Sequence, residues 1–376
     1  MAHVLLTGGR APATLELARL FGRAGHAVTV ADPWRWHVCR VSRHVKRSVR
    51  LPSPRRHFPG FSRALLDLVR SAHVDLLVPT CEEVFWVARA APELRAYTRV
   101  LTPDLAVLAE LHHKGRFAHL AAHLGLGVPD THLLTAPEDL LPFIRNAASS
   151  VFKPAWSRFG ARTLVSPSRE TLARVHPSPR DPWVVQDRVH GEELCAWAVM
   201  SRGRVRALAV YPSRFRTGRA SVHFDAARNE RVTAWIERFA RATGLTGQVA
   251  FDFVDTGSHV VALECNPRLT SGIHLFHDQP EVTRALLDPD AVETVMLARP
   301  ARPLMVAAGM VLGGHLATRE GRRAFRTARD VLSASGDPLP ALAQPALLAA
   351  LALRAARGRR GLLAATTADI EWNGEA

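Results

Sequence analysis

Two lysines stand out in a chain that otherwise takes its positive charge from arginine. Lys46, Lys114 and Lys153 are the only lysines among 49 basic residues. A lysine is a compact ammonium on a flexible stem, whereas arginine is a planar fork, so Lys114 and Lys153 mark places where a point charge is wanted. A second group lies downstream, in Phe251-Asp252-Phe253 and Leu263-Glu264-Cys265-Asn266-Pro267-Arg268. Strand alternation sends Phe251, Phe253, Leu263 and Cys265 to one face and Asp252, Glu264 and Asn266 to the other. Two carboxylates and an amide oxygen on one face are hard ligands of the kind magnesium uses beside nucleotide phosphates. Pro267 ends the strand, and Arg268 adds a cation beside the anionic pair.

Elements of two kinds must position these groups. The first part predicts a strand at His3 to Thr7, a turn at Gly8 and Gly9, a helix at Ala13 to Ala24 and a strand at Ala27 to Ala31 ending in Asp32. This is the start of a parallel α/β sheet. A third strand, Val74 to Val78, runs into Pro79-Thr80-Cys81-Glu82-Glu83, and ligands of open α/β sheets gather at such carboxyl ends. Arg43 to Arg56, which contains Lys46, reads as a solvated basic loop. One linker helix is expected from about Leu105 to Leu124, carrying Lys114. From Gly127 the pattern becomes antiparallel α+β, with strands at Ser150 to Lys153, Trp183 to Arg188 and Glu193 to Ser201. A helix at Glu230 to Thr243 and a hairpin turning at Thr256-Gly257 follow. Four regions are expected: 1–104, 105–185, 186–298 and a helical 299–376. In the last, Leu347 to Leu363 reads as a basic helix with a wide apolar face packed on the main body, a reading preferred over membrane attachment.

Composition narrows the class. At 376 residues the chain exceeds one hydrophobic core, so two or three lobes sharing a site are expected. A hydrophobic share of 47% with 22% charged residues is that of a folded globular protein. The formal net charge of +15 is spread along the chain without a recognition helix or finger spacing, which argues against a specific nucleic-acid partner. Cys39, Cys81, Cys195 and Cys265 lie far apart and suit reduced thiols. The opening MAHVLLTGG lacks the features of a signal peptide and no window reaches membrane-spanning length free of charges, so a cytoplasmic location is expected.

Glu264-Cys265-Asn266-Pro267-Arg268 resembles the ExNxR signature of the ATP-grasp superfamily, in the version of carbamoyl-phosphate synthetases and biotin carboxylases; the D-alanine ligase branch lacks the arginine. The resemblance runs from the first strand to about Phe276. HHKGRFAHLAAHLGLGVP, with Lys114, is similar to the family's lysine-bearing helix, and FKPAWSRFGART, with Lys153, to its phosphate-binding strand and glycine loop. WVVQDRVHGEELCAW resembles its adenine-binding connection. The resemblance implies an ATP-grasp fold with a Rossmann-like N-terminal domain and a helical C-terminal extension. It implies ATP contacts from Lys114, Lys153, Ser157, Gly160, Gln186, Asp187 and Val189, with Glu193 on the ribose. The loop after Lys153 has one glycine, fewer than many relatives, so Arg158 and Phe159 are read as closing over the nucleotide instead, with an ordinary turn as the alternative. Asp252, Glu264 and Asn266 would hold one or two Mg2+, or Mn2+, and Arg268 would steady the transferring phosphate or the substrate carboxylate.

The reaction so implied is phosphorylation of a carboxylate by ATP, with Lys153 and Arg268 as the catalytic cations, followed by attack of an amine on the acyl phosphate. Small-molecule carboxylate and amine substrates are expected, and a homodimer is compatible with this. Thr80, Glu82 and Glu83 at a strand end are candidates for binding an ammonium, or equally for capping a helix. Ser271 and His274 are candidates for the acceptor, though a histidine in such a place is more often structural. Two other readings stay within the superfamily: a carbamoyl-phosphate synthetase or carboxylase-like reaction on bicarbonate, and a catalytically silent ATP-binding module. A nicotinamide oxidoreductase would use the first βαβ unit and Asp32, but TGGRAPATLELA lacks G-x-G-x-x-G, so Gly8 and Gly9 read as a tight turn.

Overall fold

The computed structural model describes residues 1–375 apart from 159 and 161. The N-terminal lobe is a parallel sheet in the order β3-β2-β1-β4-β5, made of β1 (His3–Thr7), β2 (Ala27–Asp32), β3 (Arg47–Arg50), β4 (Leu76–Val78) and β5 (Arg99–Val100). Alternation along β1 serves two cores at once: Val4 and Leu6 join one, Leu5 the other. Helix α1 (Pro12–Arg23) begins on a proline, whose missing N–H costs nothing at that position. Helices α2 (Phe58–Ser71) and α3 (Val84–Leu94) add Phe61, Leu65 and Phe85 to the second core. Gly8 has φ of +73°, and a Cβ there would lie 2.7 Å from Thr80 Oγ1, so the turn after β1 requires glycine. Strand β3 lies within the stretch expected as a loop. Its Arg-Ser-Val-Arg pattern is that of an exposed edge strand, which carries no apolar signal and forms because β2 offers it a parallel partner.

The expected linker helix is two helices, α4 (Leu105–His112) and α5 (Lys114–His123). His113 breaks them by adopting an extended conformation, and its side chain accepts a hydrogen bond from Arg116 N. Lys114 is therefore the first residue of a helix rather than a mid-helix position.

A four-stranded antiparallel sheet follows, ordered β6-β9-β7-β8, from β6 (Thr131–Leu134), β7 (Ser150–Pro154), β8 (Leu164–Val165) and β9 (Trp183–Asp187), with the short helix α6 (Arg169–Leu172) beside it. The larger sheet contains β10 (Glu192–Ser201), β11 (Arg204–Pro212), β15 (Gly247–Asp255), β16 (Val260–Asn266) and β17 (Met296–Leu297). Between them come β12 (Arg216–Thr217), β13 (Ala220–Ser221), β14 (His223–Phe224) and α7 (Glu230–Thr243). On α7, Asn229 caps the start, Gly244 ends it in the left-handed region, and Trp235 and Phe239 pack on Phe251 of β15.

The C-terminal region contains α8 (Thr283–Leu287), β18 (Leu304–Met305), α9 (Ala307–Leu312), α10 (Arg319–Thr327), β19 (Arg329–Asp330), α11 (Leu339–Arg357) and α12 (Leu362–Thr367). Helix α11 starts earlier than the sequence suggests and stops before Gly358. One face packs on the main body, with Ala341 and Leu347 against the core and Ala355 buried, while Leu342 is 73% and Leu353 52% exposed. By length and composition the helix is apolar enough to cross a membrane, although Arg354 and Arg357 keep it from being free of charges. The region is fastened to the N-terminal lobe by Arg19, buried in α1, whose Nε donates to Asp337 Oδ2 at 2.8 Å and whose NH1 donates to the Val331 carbonyl at 2.7 Å. Removing one partner of a buried ion pair strands the other. Asp337→Ala is thus expected to destabilise the chain by about 3–5 kcal/mol in urea denaturation. A loss below about 1 kcal/mol would show that the fastening is dispensable.

Candidate active site

The hairpin β15–β16 pairs Asp252 with Glu264 but Phe253 with Ala262, so Leu263 is an extra residue on β16. The expectation that Leu263 joins the core face is corrected by this bulge: Phe251, Phe253, Ala262 and Cys265 line the core, and Leu263 does not. Lys153 Nζ donates to the carbonyl of this extra residue, Leu263, at 3.1 Å. Lys114 Nζ donates to the Ser157 carbonyl at 2.9 Å. Both ammonium groups face the same carboxylate oxygen, Glu264 Oε2, at 3.5 Å from Lys114 and 3.9 Å from Lys153. The two segments that sequence alone could place only in order are thereby brought to one point.

The electrostatics follow from this crowding. Burial raises the Asp252 carboxyl, and the negative Glu264 beside it pushes it further, to about 7. Burial also opposes ionisation of Glu264, but Lys114 and then Lys153 outweigh it and hold that carboxyl well below its ordinary range. Lys153 is itself lowered to about 8, first by burial and then, against the pull of Glu264, by Lys114. Asn266, two residues past Glu264 on the same strand, has no hydrogen-bond partner for its side chain among the described residues. Two carboxylates that repel each other beside an unengaged amide oxygen fit a hard divalent cation, which would supply the charge that neither lysine places between them.

Arg268 leaves the strand and reaches the N-terminal lobe, donating from Nε to Glu82 Oε1 at 2.8 Å. Arg158, in the loop after β7, places its Nε 3.1 Å from Glu82 Oε2 without hydrogen-bond alignment. Glu82 is 1% exposed. Burial works against its charge, but Arg268 and then Arg158 bring its pKa down to about 2. The adjacent Glu83 does something else: its Oε1 accepts from Thr7 Oγ1, Thr80 N and Cys81 N, closing the turn after β4.

The remaining candidates separate. Ser157 is buried with its hydroxyl unbonded. Gly160 has φ of +59°, and a Cβ there would collide with the Arg219 side chain, so glycine is required. Phe159 lies outside the described residues. Gln186 Nε2 donates to Thr131 Oγ1 at 3.0 Å, Asp187 is exposed at the end of β9, and Val189 is half-buried just beyond it. Glu193 is 47% exposed and ion-paired with Arg216. Ser271 opens a short 3-10 turn, whereas the His274 ring stacks on Phe224 and lies 3.5 Å from Glu16 of α1, away from these partners. Asp32 accepts from the Arg10 backbone and guanidinium and from Trp34 N, which accounts for its acceptors.

Arg219 and His112 escaped sequence reading. Arg219 is one arginine among many, yet its charge bears on Lys153. His112 is buried beside Glu82, its pKa lowered to about 3, chiefly by burial.

Because Glu82 is ordinarily near 4.5 and lies near 2 in the fold, its ion pairs stabilise the folded chain above pH 4.5 and lose that contribution as pH falls toward 2. Glu82→Gln is expected to lower the Tm at pH 7 and to flatten the fall in Tm between pH 4.5 and 2. Parallel Tm curves for the two proteins would refute the pairing.

Residues 120–272 match the ATP-grasp domain family. Among solved structures, the chain is similar to N5-carboxyaminoimidazole ribonucleotide synthetase in its ADP complex, with a TM-score of 0.63, 14% identity and 80% of each chain covered. An L-amino acid ligase from Bacillus licheniformis gives a TM-score of 0.63 and 14% identity, covering 81% of this chain and 79% of that one. The biotin carboxylase domain of Hydrogenobacter thermophilus 2-oxoglutarate carboxylase, solved with MgADP and bicarbonate, gives 0.58 and 12%, covering 72% and 65%. No curated protein matches the chain in sequence. These likenesses are of fold, and together with the domain match they identify residues 120–272 as an ATP-grasp domain set within a chain of ATP-grasp fold.

Proposed function

We propose that this protein is an ATP-dependent carboxylate–amine ligase. ATP phosphorylates a small carboxylate, an amine attacks the acyl phosphate, and amide, ADP and phosphate leave. The observation that carries this reading is the convergence of Lys114 and Lys153 on Glu264, opposite Asp252 and followed by Asn266 and Arg268.

Asp252, Glu264 and Asn266 would hold one or two Mg2+, or Mn2+, whose chemistry there is to neutralise phosphate charge. Lys153 and Lys114 supply point charges to the phosphates from the opposite wall. With its pKa near 8, Lys153 is mostly protonated at neutral pH while already partly desolvated, so its charge is little screened. The transferring phosphoryl group disperses negative charge, and fixed cations stabilise it by position rather than by covalent chemistry. Arg268 is assigned to the substrate carboxylate or the transferring phosphate, and Glu82 to holding that guanidinium in place. Gln186, Asp187, Val189 and Glu193 line the connection where the adenosine would lie. The neighbours in fold are as different as a ribonucleotide synthetase, a biotin carboxylase domain and an L-amino acid ligase, so the substrate is sought by experiment.

A coupled ADP-release screen against amino acids and small carboxylates, with bicarbonate as a separate arm, tests the reading. Acid- and amine-dependent turnover is expected, falling at least 100-fold in Lys153→Ala. Equal turnover in that variant would overturn the site assignment, bicarbonate-dependent turnover alone would favour the carboxylase-like reaction, and MgATP binding without turnover would leave a silent nucleotide module. Glu264→Gln is expected to weaken MgADP binding at least ten-fold by calorimetry, while metal-free ADP binding changes less.

A further inference from the structure

The C-terminal segment is built against the N-terminal lobe and Arg158, and nothing in the reaction as outlined uses it. It is anchored first at Asp369, which accepts from Arg10 NH1 at 2.5 Å and from Trp34 Nε1 at 3.1 Å, and whose carbonyl accepts from Ser53 Oγ at 2.6 Å. Trp86 Nε1 then donates to the Ile370 carbonyl at 3.0 Å, and Ile370 is 1% exposed. Trp372 stacks on Phe85 of α3, with ring centroids 4.9 Å apart and planes 13° from parallel, and meets Trp156 edge-on at 5.1 Å. A stretch anchored by buried ion pairs and stacked aromatic rings is docked, not trailing.

What it docks against is Arg158. NH1 donates to Glu371 Oε2 at 2.5 Å, and NH2 donates to the Trp372 carbonyl at 3.0 Å and to Asn373 Oδ1 at 2.8 Å. The remaining direction, Nε, faces Glu82, the same carboxylate that holds Arg268. A ladder of alternating charge therefore runs from the metal strand to the chain end: Arg268, Glu82, Arg158, Glu371, with Arg55 also paired to Glu371. Arg158 follows Lys153 by five residues, and the carbonyl of its neighbour Ser157 holds Lys114. Fixing Arg158 fixes the loop that follows Lys153 and carries the Lys114 contact.

We infer that the segment Asp369–Asn373 is a working part of the site: Glu371 and Trp372 position Arg158, lock the loop after Lys153 against the N-terminal lobe, and form the outer wall that keeps water from the cleft. This rests on the ligase reading for its meaning but not for its geometry. A plug that merely blocks the site would be released to speed the reaction; a wall would be needed to keep transfer directed away from water.

The test is hydrogen–deuterium exchange of the full chain, with and without MgADP, in Glu371→Gln, Trp372→Ala and Trp372→Phe, alongside ADP release from MgATP with no acid or amine added. Glu371→Gln keeps the shape of the side chain and removes the charge that holds Arg158. It and Trp372→Ala are expected to raise exchange of the amides following Lys153 at least ten-fold while the β10 amides stay protected. Both should raise ADP release to water at least three-fold. Trp372→Phe, which keeps a ring on Phe85, should restore most of the protection. Unchanged loop exchange in Glu371→Gln would overturn the inference, as would faster loop exchange with no rise in ADP release to water. If MgADP protects no part of the wild-type chain, the nucleotide reading fails, and exchange without nucleotide still decides whether the tail holds the loop.

Discussion

Two carboxylates facing each other across a hairpin set the terms for everything around them. Asp252 and Glu264 occupy opposed positions in the β15–β16 ladder, and like charges at such spacing are costly once buried. The fold answers with cations from two separate places, Lys114 at a helix start and Lys153 on a strand of another sheet, while Arg268 just past the hairpin turns instead to Glu82. Neither lysine is local to the pair. The four-stranded sheet and the α4–α5 break bring the two ammonium groups to one oxygen.

Much of this arrangement was legible from residue types. The hairpin, the order of the lysine segments and the parallel N-terminal sheet follow from alternation, scarcity of lysine and turn residues. What was not legible is nonlocal. Strand β3 has no apolar period and exists because β2 has a free edge. The break at His113 depends on a side chain turning back to Arg116, in a stretch whose helical spacing runs on without interruption. Leu263 reads as a core residue because a bulge leaves no mark in composition. Glu371 and Trp372 lie far in sequence from Arg158, and an arginine-rich chain gives no reason to single out one guanidinium before its partners are seen.

The same dependence on arginine shapes how the lobes are joined. Arg10, Arg19, Arg158 and Arg268 each span elements distant in sequence, and each is paired with a buried carboxylate. A planar fork can satisfy a carboxylate and one or two backbone carbonyls together, which an ammonium does less well. Arginine thus serves the seams between lobes, whereas Lys114 and Lys153 bring compact charges to the hairpin carboxylates.

The extra residue at Leu263 can be viewed as an insertion tolerated for its backbone. Without it, the alternation of Ala262 and Glu264 about Phe253 and Asp252 would still put the right residues on each face, so the hairpin has no need of it for register. What it contributes is a peptide oxygen turned toward Lys153. Such an oxygen survives every side-chain substitution at that position, so this part of the lysine's environment is invisible to alanine scanning and would be altered only by a change in chain length.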